Sequence, residues 1–332
     1  MTIALIAVLI GFVALVWSAD QFVTGAAVTA RFMGMSRLMI GLTVVAFGTS
    51  APEIFVSLNA AMKGAGDMAV GNALGSNLAN VGMVLAVTAI IVAIPIPRAL
   101  MRRELPILLF ITALTGVLLY DHHLGWLDGL LLLASLVIGG VISIRSQDAV
   151  VIGEELGLDA SECETGVPDD DISQKHAWWL LIGGLVVLVA SSRLLVWGAQ
   201  EAAQLLGVSQ LVIGLTLLAV GTSLPELAAS VACAFKGHVE IALGNVVGSN
   251  IFNLAAVLAI PALIGGVQLE PAIFSRDYLF MAGITLCLVL AIAVDALRVK
   301  GEEGTQPKLG KIAAALFLLT YCAYYLQLFS DL

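Results

Sequence analysis

Two stretches of this chain, AFGTSAPE at residues 46–53 and AVGTSLPE at 219–226, repeat the pattern Gly-Thr-Ser-x-Pro-Glu inside apolar runs. Each run is long enough to cross a bilayer, whose hydrocarbon core of ~30 Å takes about 20 helical residues. A proline there withdraws a backbone donor, a glycine weakens the helix, and a charge needs a partner. Such breaks are tolerated in a membrane only where the freed backbone faces protein, water or an ion. Writing the same costly combination twice therefore restricts the chain to folds that bury and use both breaks.

The repeat is longer than the motif. Shifting the chain by 173 residues lays 41–82 on 214–255 without a gap, and nearly half of the positions are identical. The matches include Thr43/Thr216, Gly48/Gly221, Thr49/Thr222, Ser50/Ser223, Pro52/Pro225, Glu53/Glu226, Lys63/Lys236, Asn72/Asn245, Ser76/Ser249, Asn77/Asn250 and Asn80/Asn253. Apolar helices resemble one another through composition alone, but polar residues, prolines and glycines in register do not. The chain is a duplication.

With 60% hydrophobic and 12% charged residues among 332, and a mean hydropathy of +1.03, it reads as an all-α, polytopic membrane protein. Ten transmembrane helices are expected, at roughly 3–30, 38–63, 69–94, 105–120, 125–145, 177–204, 210–236, 241–265, 277–296 and 311–329. No basic stretch precedes the first and no small-residue cleavage site follows it, so it reads as a retained helix. The offset between copies spans five helices, an odd number, so the second copy threads the membrane in the opposite sense. The expected fold is thus two inverted five-helix repeats, 1–145 and 177–332, with helices broken at the midplane, an arrangement typical of secondary transporters.

The formal charge of −9 is concentrated in the linker 146–176, which holds nine acids and one lysine. Asp169, Asp170 and Asp171 lack the glycine-pivoted, alternating pattern of a calcium loop, and the segment reads as a solvated connector. Cys163, Cys233, Cys287 and Cys322 show neither disulfide nor metal-ligand spacing. Lysines and arginines set orientation. Ten spans place twelve of the fifteen on the face of the linker, two (Lys63 and Arg276) on the other, and Arg193 within a span. The linker is expected in the cytoplasm and both termini outside, in the cell's inner (plasma) membrane. Nothing in the sequence points to nucleic acid or to an obligatory protein partner; the bilayer is the surrounding partner, and no cofactor is expected.

At each break, Pro52 and Pro225 deprive the Gly48 and Gly221 carbonyls of their helical donor. The turn exposes carbonyls near Ala46 and Thr49 and the hydroxyls of Thr49 and Ser50, with Glu53 one residue beyond the proline. Ala219, Thr222, Ser223 and Glu226 supply the mirrored set. Together they make an oxygen-rich cage with two negative charges, suited to hard cations such as Ca²⁺, which takes about 6–8 oxygens. Ser76 and Asn80, and Ser249 and Asn253, lie four apart on one helix face and add neutral oxygens. Gly71, Gly75, Gly244 and Gly248 read as close-approach positions between helices.

At these residues the sequence resembles the prokaryotic sodium/calcium exchangers of the cation/calcium antiporter superfamily. The resemblance implies an antiporter carrying Na⁺ and Ca²⁺. Ca²⁺ would be held by Glu53, Glu226 and the Thr49 and Thr222 carbonyls. Na⁺ would use the same carboxylates with Ser50, Ser223, Ser76, Ser249 and the Ala46 and Ala219 carbonyls. It further implies that the first and sixth helices slide as a gate. Members of that family, potassium-dependent ones included, often carry an acid where this chain has Asn253, so transport without K⁺ is expected.

An empty site with two negative charges is costly to move through a low-dielectric barrier, so coupling of the two cations follows from charge. A proton/calcium antiporter is the alternative, with Glu53 and Glu226 releasing protons. An intramembrane enzyme would need a nucleophile paired with a base, yet His122, His123, His176 and His238 fall at loops or span ends. A closed midplane cage argues against a channel. Asp20 and Arg193, repeat mates in the first and sixth helices, are expected to reach separately toward water rather than to pair.

Overall fold

A computed structural model of the chain describes residues 1–145, 172–207, 219–299 and 306–330. Asp169, Asp170, Asp171, Cys163 and the first part of the seventh expected span lie outside the described residues. The chain forms helices α1 (Thr2–Met33), α2, a pair (Arg37–Thr49 and Ala51–Met62) bent by 42°, and α3 (Gly66–Ile91). Next come α4 (Leu105–Leu119), α5 (Trp126–Ile144), α6 (Gln174–Leu205) and α7 (Leu224–Phe235). The last are α8 (Val239–Ile264), α9 (Ile273–Arg298) and α10 (Lys311–Leu328).

Seven of these are long and apolar enough to cross a bilayer, and the bent α2 makes eight. Two expected spans fall short of that test among the described residues. Helix α4 has 15 residues, though a π-helical turn at Leu100–Glu104 leads into it. The seventh span is described only from Ala219 onward.

Helices α3 and α8 run through the centre of the bundle, with 72% and 67% of their apolar windows buried, against 33% for α1 and 28% for α6. Leu9 and Trp17 of α1 and Trp179 and Val186 of α6 stay exposed, as side chains facing lipid should. Each central helix carries a π-helical turn, Asn80–Leu85 in α3 and Asn253–Val257 in α8, whose starting residues are 173 apart. Such turns break the ordinary i to i−4 bonding and recur at functional sites.

Helices α1 and α6 pack antiparallel along a seam of glycines. A Cβ at Gly184 would lie 2.7 Å from the Phe22 nitrogen, and one at Gly11 2.8 Å from the Leu195 nitrogen. A Cβ at Gly198 would lie 2.7 Å from the Ala4 oxygen, and Gly25 abuts the Leu181 backbone. Small residues let the backbones meet where no hydrophobic effect between helices is available in lipid. Gly11 and Gly184, like Gly25 and Gly198, are 173 apart, and so are Phe22 and Leu195. The contacts on one half of the seam are those of the other half with the partners exchanged.

Two short antiparallel strand pairs tie distant loops together. Strand β1 (Ile94–Pro95), after α3, pairs with β4 (Lys308–Leu309), before α10; β2 (His123–Leu124), between α4 and α5, pairs with β3 (Val267–Gln268), between α8 and α9.

Asp20 departs from its expected isolation. Its Oδ1 lies 2.8 Å from Lys236 Nζ, and Lys236 also donates to Thr24 Oγ1. The pair joins α1 to the corner between α7 and α8. The sequence reading compared Asp20 only with its repeat mate Arg193, which stays exposed; the partner came instead from a helix end brought alongside by packing. Gly244 and Gly248 of α8 press on the backbone of α2 at Leu38 and Leu42, as expected of close-approach positions, but their repeat mates in α3 do not serve that purpose: a Cβ at Gly71 or Gly75 would meet nothing within 4 Å.

The glycine seam yields a stability prediction. Gly25→Ala and Gly184→Ala force a methyl into backbone, and overpacking of this kind costs typically 1–3 kcal/mol. Both variants should unfold at lower temperature in detergent than the wild type. Gly183→Ala, whose Cβ would meet nothing within 4 Å, serves as the control and should not.

Candidate cation site

The first break is sharp because Ser50, with φ −80° and ψ 2°, leaves the helical conformation between the two halves of α2, and Pro52 lies in the first turn of the second half. The Gly48 carbonyl, expected to be stranded by Pro52, instead accepts from a backbone N–H of the cap, as does the Ala46 carbonyl. The Ala46 oxygen also lies 3.5 Å from the Thr49 hydroxyl. A turn just before a proline can return its own N–H groups to the carbonyls that the proline leaves open. In the second copy a turn at Ser223, whose N–H reaches the Val220 carbonyl at 3.1 Å, separates Ala219–Thr222 from α7.

Glu53 and Glu226 each stand in the first turn of the helix that follows the break. The partial positive charge of a helix N-terminus favours a carboxylate there. Both are 1% exposed. Glu53 Oε1 accepts from Ser76 Oγ at 3.4 Å. Its Oε2 and both oxygens of Glu226 have no hydrogen-bond partner among the described residues. The two carboxylates interact, and Thr49 and Ser50 lie beside Glu226.

Of the other residues expected in the site, Thr49, Ser50, Ser223, Ser249, Ser76, Asn80 and Asn253 are all buried, and Thr222 is half-buried. The hydroxyls of Ser50, Ser223 and Ser249, the Asn80 Oδ1 and both amide atoms of Asn253 lack partners among the described residues. Most buried side-chain polar atoms in that condition belong to the two repeated motifs. Buried polar groups are ordinarily bonded, and leaving one unmade is costly. Bare polar atoms on both motifs, together with the two interacting carboxylates, make these motifs the candidate cation site. Of Ala219, only the backbone in its short helix is described.

Amides link the two copies across the bundle. Asn77 Nδ2 donates to the Asn250 backbone oxygen at 3.1 Å, and Asn80 Nδ2 to Asn250 Oδ1 at 3.1 Å. Asn77 and Asn250 are 173 apart, so residues in equivalent positions of the two copies touch each other. Thr49 Oγ1 donates to Asn245 Oδ1 at 3.0 Å, and Asn245 Nδ2 to Ser230 Oγ at 3.3 Å. Asn72, Asn77, Asn245 and Asn250 are identities of the repeat that were not among the expected site residues. Their retention as polar residues in both copies was the signal that could have found them.

With this geometry in place, comparisons with known proteins are informative. A family model described as sodium/calcium exchanger protein matches residues 3–145 and 176–329. The putative antiporter CaxA of Alkalimonas amylolytica is 39% identical over 332 residues, covering 100% of both chains. The inner membrane protein YrbG of Escherichia coli (strain K12) is 37% identical over 294 residues, 87% of this chain and 89% of its own. A solved structure of the sodium-calcium exchanger NCX_Mj, soaked with 2.5 mM Na⁺ and 0.1 mM Ca²⁺, superposes with a TM-score of 0.78 at 31% identity, over 96% of each chain.

The carboxylate geometry predicts a specific sensitivity. Glu53→Gln or Glu226→Gln keeps the side-chain shape and removes one of the two charges, so Ca²⁺ transport into vesicles should fall to background for either variant. Near wild-type flux in either would dismiss a site built on both glutamates.

Proposed function

The chain belongs to the sodium/calcium exchanger protein family, and from that premise we propose that it exchanges Na⁺ for Ca²⁺ across the membrane by alternating access. One site, shared by the two halves and assembled from Glu53, Glu226, Thr49, Thr222, Ser50, Ser223, Ser76, Ser249, Asn80, Asn253 and the Ala46 and Ala219 carbonyls, takes the two cations in turn. The observation that carries this reading is the pair of interacting, buried carboxylates with bare oxygens at two helix breaks. Family members are transporters, and no chemical step is needed here: the work is done by moving a charged site only when it is loaded.

Charge sets the coupling. Two carboxylates neutralise one Ca²⁺ or two Na⁺, and a near-neutral site crosses the low-dielectric core far more readily than a doubly charged one. The loaded forms can switch sides and the empty form cannot, which makes exchange obligatory. Asn253 contributes a neutral oxygen in place of a third carboxylate, so no K⁺ is required to balance the site.

The architecture proposed with this function is ten spans in two inverted repeats, 1–145 and 177–332, containing the motifs 41–82 and 214–255. Two features support it. The α1–α6 contacts survive a shift of 173 with partners exchanged. In a ten-span topology each strand pair also joins loops on one face, β1–β4 on the side of the linker 146–176 and β2–β3 on the other. The excess of Lys and Arg on the linker's side favours a cytoplasmic linker and outside termini. The inner membrane, where the name of the relative YrbG places that protein, is the compartment proposed.

The test is flux into proteoliposomes with K⁺ absent on both sides. An outward Na⁺ gradient should drive Ca²⁺ uptake, and a pH gradient without Na⁺ should not. Uptake driven by the pH gradient alone would establish the proton-coupled alternative, and activity that appears only on adding K⁺ would contradict the role given to Asn253.

A further inference from the structure

The three residues Thr49, Asn245 and Ser230 have counterparts of identical type 173 positions away, Thr222, Asn72 and Ser57. Sequence alone would give the two sets the same bonds. At the two asparagine–serine pairs the structure differs. Asn245 accepts from Thr49 at the first helix break and donates to Ser230 on α7, so one amide links the break in one copy to the helix bearing Glu226 in the other. Ser230 lies one helical turn beyond Glu226, on the same face. In the other set, Ser57 donates to the Val257 carbonyl at 3.1 Å, within the π-helical turn that Asn253 opens. Asn72 Nδ2 is buried without a partner among the described residues.

Thr49, Ser57 and Ser230 are 0% exposed and Asn245 1%; Asn72 and Thr222 are half-buried, with the Asn72 Nδ2 itself sheltered. No water of the bulk competes for these bonds, so an open bond here is a real cost and a closed one a real gain. Two sets with the same chemistry and different bonding mean that the described conformation favours one over the other. In a protein of two inverted repeats, the second access state is reached when the copies exchange conformations. The bonding of the two sets must then exchange as well.

We propose that Asn245 and Asn72 are positioning residues for cation exchange, forming alternately: the Asn245–Ser230 bond is closed in the conformation described and the Asn72–Ser57 bond closes in its opposite. This rests on the alternating-access reading above and adds residues outside the proposed ligand set. Asn245 acts through Thr49, holding the first break in the orientation of one state; Asn72 holds the second break in the other. Neither asparagine is asked to touch a cation.

The test is Ca²⁺ self-exchange in proteoliposomes of known orientation, with apparent KM measured from each face for wild type, Asn245→Leu, Asn72→Leu and the double variant. An apparent affinity falls with the population of the state that offers the site. Asn245→Leu removes both of the bonds that asparagine makes, which at the usual net strength should shift the ratio of the two KM values about ten- to a hundredfold. The two single variants should shift it in opposite directions, and the double variant should return it toward the wild-type value. General damage to the bundle would move both KM values together, leaving the ratio unchanged. Asn245→Ala and Asn72→Ala, which leave space instead of a misplaced side chain, replace either leucine variant that fails to fold. A ratio that stays fixed, or moves the same way in both single variants, overturns the proposal while leaving exchange itself intact. A wild type that carries no Ca²⁺ in this assay contradicts the functional reading and this inference with it.

Discussion

Burying two carboxylates beside each other in the middle of a membrane bundle is the constraint from which the rest of this structure follows. Glu53 and Glu226 are almost fully shielded, and three of their four oxygens have no protein partner among the described residues. Each ionised group carries a desolvation cost of several kcal/mol, and their mutual repulsion adds to it. Among the described residues no basic side chain pairs with either of them; the neighbours that the structure supplies are Ser76, Thr49 and Ser50. An environment that can accept hydrogen bonds and coordinate cations, but offers no fixed positive charge, leaves the balancing charge to be delivered from solution. The helix breaks serve the same end, since each sets its glutamate in the first turn of a helix, where the backbone dipole helps.

The bundle around that site has a tied centre and a lipid-facing pair of long helices at its margin. Central α3 and α8 are locked by side-chain amides that bond across the two copies, with Asn77 and Asn250 meeting their own counterparts. Peripheral α1 and α6 are long, lipid-exposed and joined to each other by glycines in backbone contact. Such a seam is smooth and strong, so the two helices hold together as a unit. Against the rest of the protein, α1 buries Phe22, Val23 and Ala26 in an apolar cluster shared with α2, α7 and α8, and adds the ion pair Asp20–Lys236. At the mirrored position stand Arg193 and Lys63, two cations, so the corresponding contact would repel. The copies are therefore similar in their central motifs and unlike in the charges at their margins.

Much of this was legible in the sequence, and for identifiable reasons. A helical membrane fold follows from apolar runs that composition makes unmistakable, and the kink in α2 follows from Pro52 two residues beyond Ser50. The buried polar residues of the two motifs were visible because costly polar groups were written twice in register. What escaped was whatever depends on which helices become neighbours. Asp20 was compared with its repeat mate and paired instead with Lys236 from another element. The Gly48 carbonyl was expected to be bare, because the return of cap N–H groups depends on the backbone angles of a single residue. The π-helical turns opening at Asn80 and Asn253 alter the face that later residues present, and an i, i+4 reading cannot register them. The role of Asn245 was hidden for the same reason: its partners, Thr49 and Ser230, come from two other helices.

The central claim is that one two-carboxylate site holds either Ca²⁺ or more than one Na⁺, never both loads together. Calorimetric titration of the purified protein with Ca²⁺ at a series of Na⁺ concentrations tests it most directly. The account predicts one Ca²⁺ per chain, with an apparent dissociation constant that rises with Na⁺ more steeply than in direct proportion, because several Na⁺ must leave before Ca²⁺ enters. A Ca²⁺ affinity indifferent to Na⁺ would contradict a shared site.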